Sequence, residues 1–293
     1  MRDFRFGFTL ASPRSQAELA DVCGRAEDYG YDIAVGVDHL GPNRTDPFLA
    51  AMAAASHCKR MKVGTYVLDI GFWHGALVAR DVASLTRMTD GRFELGLGTG
   101  VIKAQFDRYR FRWPSFAERV AMVSEAVDTM HELLAEEDGV PVPPILIGGG
   151  GEQMLRLAAA KADAVSFGGR AHVHGQPAGT LRILTRADID DRVKFFEAAA
   201  ADRVDQIERN LFVLEVVVTD DRRAAAQVVA DAYAPHSNVD DLLESPNVMF
   251  GTEDEIAQQI LDLRERYGFT YFTVQRPHME PLGPIIEKVR AQA

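Results

Sequence analysis

Short, almost wholly apolar runs recur along this chain, separated by longer segments in which apolar residues return every three or four positions. The runs occupy residues 4–10 (FRFGFTL), 33–37 (IAVGV), 62–69 (KVGTYVLD), 92–98 (RFELGLG), 144–148 (PILIG), 163–168 (DAVSFG), 211–218 (LFVLEVVV) and 270–274 (TYFTV). Their length and lack of strict alternation fit strands buried on both faces. The segments between them read as amphipathic helices, with Leu19, Val22, Cys23 and Ala26 on one face of the first. Ser115 and Glu118 stand at capping-box spacing ahead of a long helical segment that runs to Gly139. Eight strands alternating with helices, and no Pro/Ser-rich linker, predict one α/β domain over residues 1–293. The expected architecture is a closed (β/α)8 TIM barrel, with an open doubly wound sheet as the alternative.

Two segments exceed what a minimal barrel needs. Residues 101–114 follow the fourth strand and 169–188 follow the sixth. Both leave strand C-terminal ends, where barrel enzymes build their sites, so each is read as a lid or substrate wall, or as a folded surface excursion.

Composition narrows the function classes. A net charge of −11 repels a phosphate backbone, which leaves a small-molecule substrate rather than nucleic acid as the expected partner. There is no apolar span of membrane-crossing length and no signal-like stretch among the first residues, so no membrane partner is expected and the localisation is read as cytoplasmic. Cys23 and Cys58 each sit in a helical pattern and are read as buried thiols, not a disulfide.

The candidate chemistry collects at strand ends. Four glycines, 148–151, close the fifth strand and open a helix, where unpaired N–H groups and the positive helix end favour a phosphate. A tight turn is the plainer reading, although it seldom needs four. Neither a P-loop nor a dinucleotide fingerprint fits, because no Gly-Lys-Ser/Thr follows and Gln153 stands where a last glycine belongs. A second glycine turn, GLGTG (96–100), closes the fourth strand, and Asp38 and His39 follow the second. A His there can hydrogen-bond to a redox ring or donate a proton; a structural role is the alternative. His172 and His174, and His57 beside Cys58, lack a third nearby ligand, so no metal is expected. The absence of Gly-x-Ser-x-Gly removes the common hydrolase reading.

Together these segments resemble a known family. ALVARDVASLTRMTD followed by GRFELGLGTG is similar to the strand 4 signature of the luciferase-like monooxygenase superfamily. PPILIGGGGEQMLRLAAAKADAVSF resembles its strand 5 to strand 6 segment, and GTEDEIAQQILDLRERYGFTYFTV its closing helix and last strand. The Asp-His pair and the third-strand region point to the coenzyme F420-dependent branch. The resemblance implies that Asp38 and His39 lie beside the deazaflavin ring, with His39 a proton donor or hydrogen-bonding group. It implies that Tyr66 and Val67 form a bulge, with a non-proline cis peptide, on which the ring rests, and that Tyr66 is a second candidate proton donor. Asp69 closes that strand and counts among the cofactor-binding residues. Gly98, Thr99, Gly100 and Val101 match the turn beside the cofactor's side chain and phosphate, and Gly149 and Gly150 the phosphate cradle.

The departures redirect the activity. Sugar-phosphate dehydrogenases of this family carry a Trp after the His and a Glu after the Gly-Thr-Gly, where this chain has Asn43 and Val101. The resemblance therefore implies a reductase that moves hydride between C5 of F420 and a small organic substrate with a C=C or C=N bond. An FMN-dependent monooxygenase and a non-catalytic flavin-binding barrel are the alternatives. The loop KAQFDRYRFR sets Lys103, Arg108, Arg110 and Arg112 against one Asp107, and is expected either to meet the anionic tail of F420 or to form a solvated basic face. Barrels of this family often pair, which leaves both a homodimer and a monomer open, since no interface stripe stands out.

Overall fold

The computed structural model describes residues 2–173, 175–176 and 180–293, so His174 lies outside the described residues. In chain order the strands are β1 (Arg5–Thr9), β2 (Ile33–Gly36), β3 (Lys62–Thr65), β4 (Leu68–Asp69), β5 (Phe93–Gly98), β6 (Ile145–Gly148) and β7 (Ala164–Phe167). They continue as β8 (Arg170–His172), β9 (Leu181–Ile183), β10 (Glu208–Val213), β11 (Glu215–Val218), β12 (Val248–Gly251) and β13 (Phe269–Val274). The third barrel strand is interrupted into β3 and β4, and both halves pair with β5. All pairings around the barrel are parallel, and β13 closes it against β1, with Arg5 opposite Tyr271 and Phe8 opposite Val274. The fold is the closed TIM barrel that the alternation of runs predicts.

Helices α1 (Gln16–Asp28), α2 (Pro47–His57) and α3 (Gly75–Met88) cover the first three strands; α4 (Lys103–Tyr109), α5 (Phe116–Ala135) and α6 (Glu152–Lys161) follow. The rest are α7 (Arg186–Ala200), α8 (Arg222–Tyr233), α9 (Val239–Glu244), α10 (Glu253–Tyr267) and α11 (Met279–Ala291). Helix α1 buries Leu19, Val22, Cys23 and Ala26, as its periodicity requires. Helix α5 opens on the Ser115–Glu118 capping box but ends at Ala135, four residues short of the glycine. Outward strand side chains such as Phe6, Phe8, Phe93, Leu95 and Phe272 join the helices in one large core. Cys23 and Cys58 are buried free thiols.

Three segments are refined or changed relative to the sequence expectation. The run 211–218 is two strands in two sheets. Its first half continues β10 in the barrel; at Leu214, whose N–H donates to the Asn247 carbonyl at 2.7 Å, the chain leaves to pair with β12. β10 also begins earlier, at Glu208, because its charged residues are paired: Glu208 with Arg5, and Arg209 with the Tyr267 carbonyl and Glu197. The segment 101–114 holds α4, and the segment 169–188 holds the antiparallel β8–β9 hairpin.

Candidate active site

Inside the barrel, strand alternation stacks side chains in layers. At the N-terminal end Arg5 donates to Glu208 at 2.6 Å and to Glu94 at 2.8 Å, while Lys62 reaches Glu94 at 2.6 Å. Burial pushes the Glu94 carboxyl up, but Arg5 and Lys62 outweigh it and hold the group below its ordinary range. Above them Ile33, Val35, Leu146, Ala164 and Tyr271 fill the centre and meet Tyr66 and Val67. The next layer is polar: Tyr66 donates its hydroxyl to Asn210 Oδ1 at 2.8 Å and lies 2.5 Å from Ser166 Oγ. Asn210 in turn donates to Thr273 at 2.8 Å. The barrel is therefore filled below its C-terminal mouth, the end at which barrel enzymes place their chemistry.

The floor of the mouth is Val67. The Tyr66–Val67 peptide bond is cis. A side chain at Gly98 would place a Cβ 2.5 Å from Val67 Cγ2, and one at Gly148 would place it 3.1 Å from Cγ1. Two of the strand-end glycines are thus required by the bulge between them. The Tyr66 ring packs at 5.3 Å on Phe212. Its hydroxyl is engaged by Asn210 and Ser166, and burial pushes the phenol well above its ordinary range. The hydroxyl proton is thus engaged inside the barrel layer.

Beside the floor, β2 and β4 bring two carboxyls together. Asp38 Oδ2 accepts from the Trp73 indole N–H at 2.7 Å and from the Asp69 amide at 3.0 Å. Asp69 Oδ1 accepts from the Gly71 amide at 3.1 Å, and its Oδ2 lies against Gly100, where a Cβ would come within 1.9 Å. Burial, with Asp46 as a lesser repelling charge, pushes the Asp38 carboxyl up to about 6 against its two donors. Burial, then the Asp38 charge, pushes Asp69 up to about 7. Burial, then the Arg44 charge, lowers the His39 pKa, opposed by a hydrogen bond to Gln105 of α4. His39 is thus neutral at pH 7, able to hydrogen-bond but poorly supplied with a proton to give. Thr99 is buried, and Val101 stands 77% exposed at the rim.

The four glycines serve separate purposes. Gly148 clears Val67. Gly149 has φ +151 and donates its N–H to the Ser166 carbonyl at 3.2 Å, so that N–H is bound within the sheet and does not await a phosphate. Gly150 lies under the guanidinium of Arg192, whose Nη1 would be 2.2 Å from a Cβ there. Gly151 is the N-cap of α6 and brings no side-chain cap. The first-turn N–H groups of α6 and the Arg192 cation thus face the same corner, which is the donor set a phosphate needs. Burial lowers the pKa of Arg192, and its one described hydrogen bond is a long one, 3.4 Å, to the Gly168 carbonyl.

The basic segment after β5 is partly neutralised. Lys103 pairs with Asp107 at 2.6 Å, and Arg112 pairs with Glu118 of α5. Only Arg108 and Arg110 of the four have no carboxylate partner among the described residues. Gln105 accepts from the Leu40 amide at 3.3 Å, and Phe106 is fully buried, so α4 is a wall docked beside His39. His57 bonds to Gln16 at 2.8 Å, and His172 lies in β8.

Sequence reasoning missed Trp73, Arg119, Arg192 and Gln105, which sit in ordinary helical or loop contexts and reach the site only through tertiary packing. Ser166 carried a usable signal, as a polar residue inside an otherwise apolar strand.

Over 142 residues the chain is 37% identical to an F420-dependent glucose-6-phosphate dehydrogenase of Nocardia farcinica, covering 45% of this chain and 42% of that protein. Over 197 residues it is 32% identical to a protein of the same description from Nakamurella multipartita, covering 57% of each. The chain thus spans about half the length of these relatives. It is similar in fold to a solved F420-dependent secondary alcohol dehydrogenase in complex with an F420-acetone adduct, with TM-score 0.76, 19% identity, and 99% and 100% of the two chains covered. A coenzyme F420-dependent tetrahydromethanopterin reductase from Methanopyrus kandleri gives TM-score 0.75 and 18% identity, covering 99% of each. A profile of the luciferase-like monooxygenase family matches residues 4–271. Since that match runs from ahead of β1 into β13 and so takes in the whole barrel, the chain belongs to the luciferase-like monooxygenase family.

Proposed function

We propose that this chain is a coenzyme F420-dependent oxidoreductase that moves hydride between C5 of the deazaflavin and a small organic substrate with a C=C or C=N bond. The observation that carries the reading is the mouth itself: a Val67 floor cleared by Gly98 and Gly148, with neutral His39 on one side and the Gly150–Arg192 corner on the other. A flat ring fits the first part and its phosphate the second. When bound, F420 supplies or accepts the hydride. The chain's own part is orientation and electrostatics: Val67 supports the ring, His39 hydrogen-bonds beside it, and Gly150 N–H with Arg192 holds the anion.

The relatives named above are glucose-6-phosphate dehydrogenases by description, but that substrate is not carried over. Asn43 and Val101 offer neither an aromatic wall nor an acid at the positions the resemblance singles out. Pairing of Lys103 and Arg112 with carboxylates removes half of the cations that an F420 tail was expected to meet, which keeps FMN as the second reading. Side-by-side titration with F420 and FMN separates the two, followed by stopped-flow oxidation of the reduced complex with and without oxygen. Tight F420 binding and oxygen-independent oxidation by an unsaturated acceptor support the proposal. Preferential FMN binding with oxygen-dependent reoxidation overturns it.

A further inference from the structure

Asp38 holds the Trp73 indole and Asp69 caps the short 3-10 turn at 70–72, contacts that a neutral oxygen acceptor would also make. Both are nearly buried, at 8% and 7% exposure, at the ends of neighbouring strands. Among the described residues no Lys, Arg or His forms an ion pair with either. Arg119 of α5, whose charge acts on Asp69 at a distance, donates Nη1 to the Pro114 carbonyl at 2.6 Å and lies 3.7 Å over the Trp113 ring. Asp46, the N-cap of α2, adds negative charge near Asp38. Two hydrogen-bond donors, from Trp73 and the Asp69 amide, hold Asp38, and one, from Gly71, holds Asp69 Oδ1. Asp69 Oδ2 has no described partner and lies at the glycine turn, where only the missing Cβ of Gly100 makes room for it. Two carboxylates confined in this way repel each other and resist desolvation, so the pair retains a proton.

We propose that Asp38 and Asp69 form a proton store: burial and the adjoining carboxylate keep a proton on the pair, and Asp69 Oδ2, which no described group engages, is the oxygen that gives or takes it. Its part in catalysis rests on the oxidoreductase reading; its existence does not. In the reducing direction the Asp69 O–H bond breaks as a new C–H or N–H bond forms on the substrate atom next to the one that took hydride. The carboxylate left behind regains its proton from solvent. In the oxidising direction the same oxygen takes the proton. This suits a site whose histidine is already neutral.

Trp73 reports on the store directly, because its indole bonds to Asp38. Tryptophan emission of the cofactor-free protein, titrated from acid to mildly basic pH, is expected to change with a midpoint in the range about 6 to about 7. Asp69→Asn is expected to remove the upper step and leave the single step of Asp38 at about 6. Trp73→Phe is expected to abolish the change. A wild-type titration flat above pH 5, or an unchanged titration profile in Asp69→Asn, overturns the proposal. Should that variant fold poorly, carbon-13 titration of the wild-type aspartate carboxyls decides the matter: two groups that both titrate in the ordinary acid range refute the store. For the link to function, F420 binding measured by calorimetry in two buffers of different ionisation heat should exchange protons in wild type and not in Asp69→Asn; equal exchange in both refutes the link. Failure to bind F420 at all sinks the functional reading while leaving the carboxyl titration to stand by itself.

Discussion

Gly150 and Arg192 make a linked prediction that tests the anion corner. Gly150 has no left-handed φ, so alanine there is tolerated by the backbone and acts through its methyl group alone. That methyl would sit 2.2 Å from Arg192 Nη1 and 2.6 Å from Cζ, closer than any real carbon approach, so the guanidinium has to swing away. A charge-assisted hydrogen bond broken by that swing is worth about 1.5 to 3 kcal/mol, or about 10- to 150-fold in Kd. Arg192 is only half-buried, and solvent screening puts the expectation at the lower end, about tenfold. Gly150→Ala and Arg192→Gln should therefore each weaken F420 about tenfold at low ionic strength. Because both act through one guanidinium, the double variant should be little worse than either single one. The assay is spectroscopic titration of the cofactor at low and high salt, with thermal melts to confirm folding. The gap between wild type and variants should narrow as salt rises. An unchanged Kd in Arg192→Gln, or fully additive losses in the double variant, would falsify the assignment of this corner to an anion.

Four further outcomes are expected. His39→Ala should retain cofactor and lose most turnover, and wild-type kcat should not fall through His39 deprotonation above pH 7, since burial already lowers that pKa; an unchanged kcat in the variant removes His39 from the mechanism. Gly98→Ala should impair cofactor binding by driving its methyl into Val67, and a Val67→Ala background should restore it; no rescue means the floor is elsewhere. Arg5→Met should lower stability by about 3 to 5 kcal/mol by stranding Glu208 and leaving Glu94 to Lys62 alone, with cofactor affinity unchanged, measurable by thermal melting and titration. Asp69→Asn should raise the melting temperature at pH 8 more than at pH 5. A carboxyl whose pKa rises from 3.8 to about 7 on folding gives stability that is full below 3.8 and lost as pH rises through about 7, a difference of up to about 4 kcal/mol. An equal Tm difference at both pH values refutes this sign.

Most of the barrel was legible because its strands are apolar on both faces, so the runs at 33–37, 92–98 and 144–148 marked β2, β5 and β6 to within a residue or so. Legibility failed where charge or polarity is satisfied by a distant partner. Glu208 and Arg209 looked like loop because their counterparts, Arg5 and Glu197, are not neighbours in sequence. The run 211–218 hid a change of sheet, since both halves are equally apolar and only the partner strand β12 distinguishes them. At the site, the glycines announced a close approach but not its object: Gly148 and Gly98 face Val67, and Gly150 faces Arg192. The cis bond at Tyr66–Val67 was expected from resemblance, and nothing in the residue types themselves required it.

The ionic layer of Arg5, Lys62, Glu94 and Glu208 has a kinetic consequence for the proposed enzyme. With that end of the barrel filled, molecules enter and leave by a single door. A cofactor seated on Val67 lies deeper than anything placed over it, so substrate arrives after it and product departs before it. Steady-state patterns should accordingly follow a compulsory order, with the cofactor first in and last out.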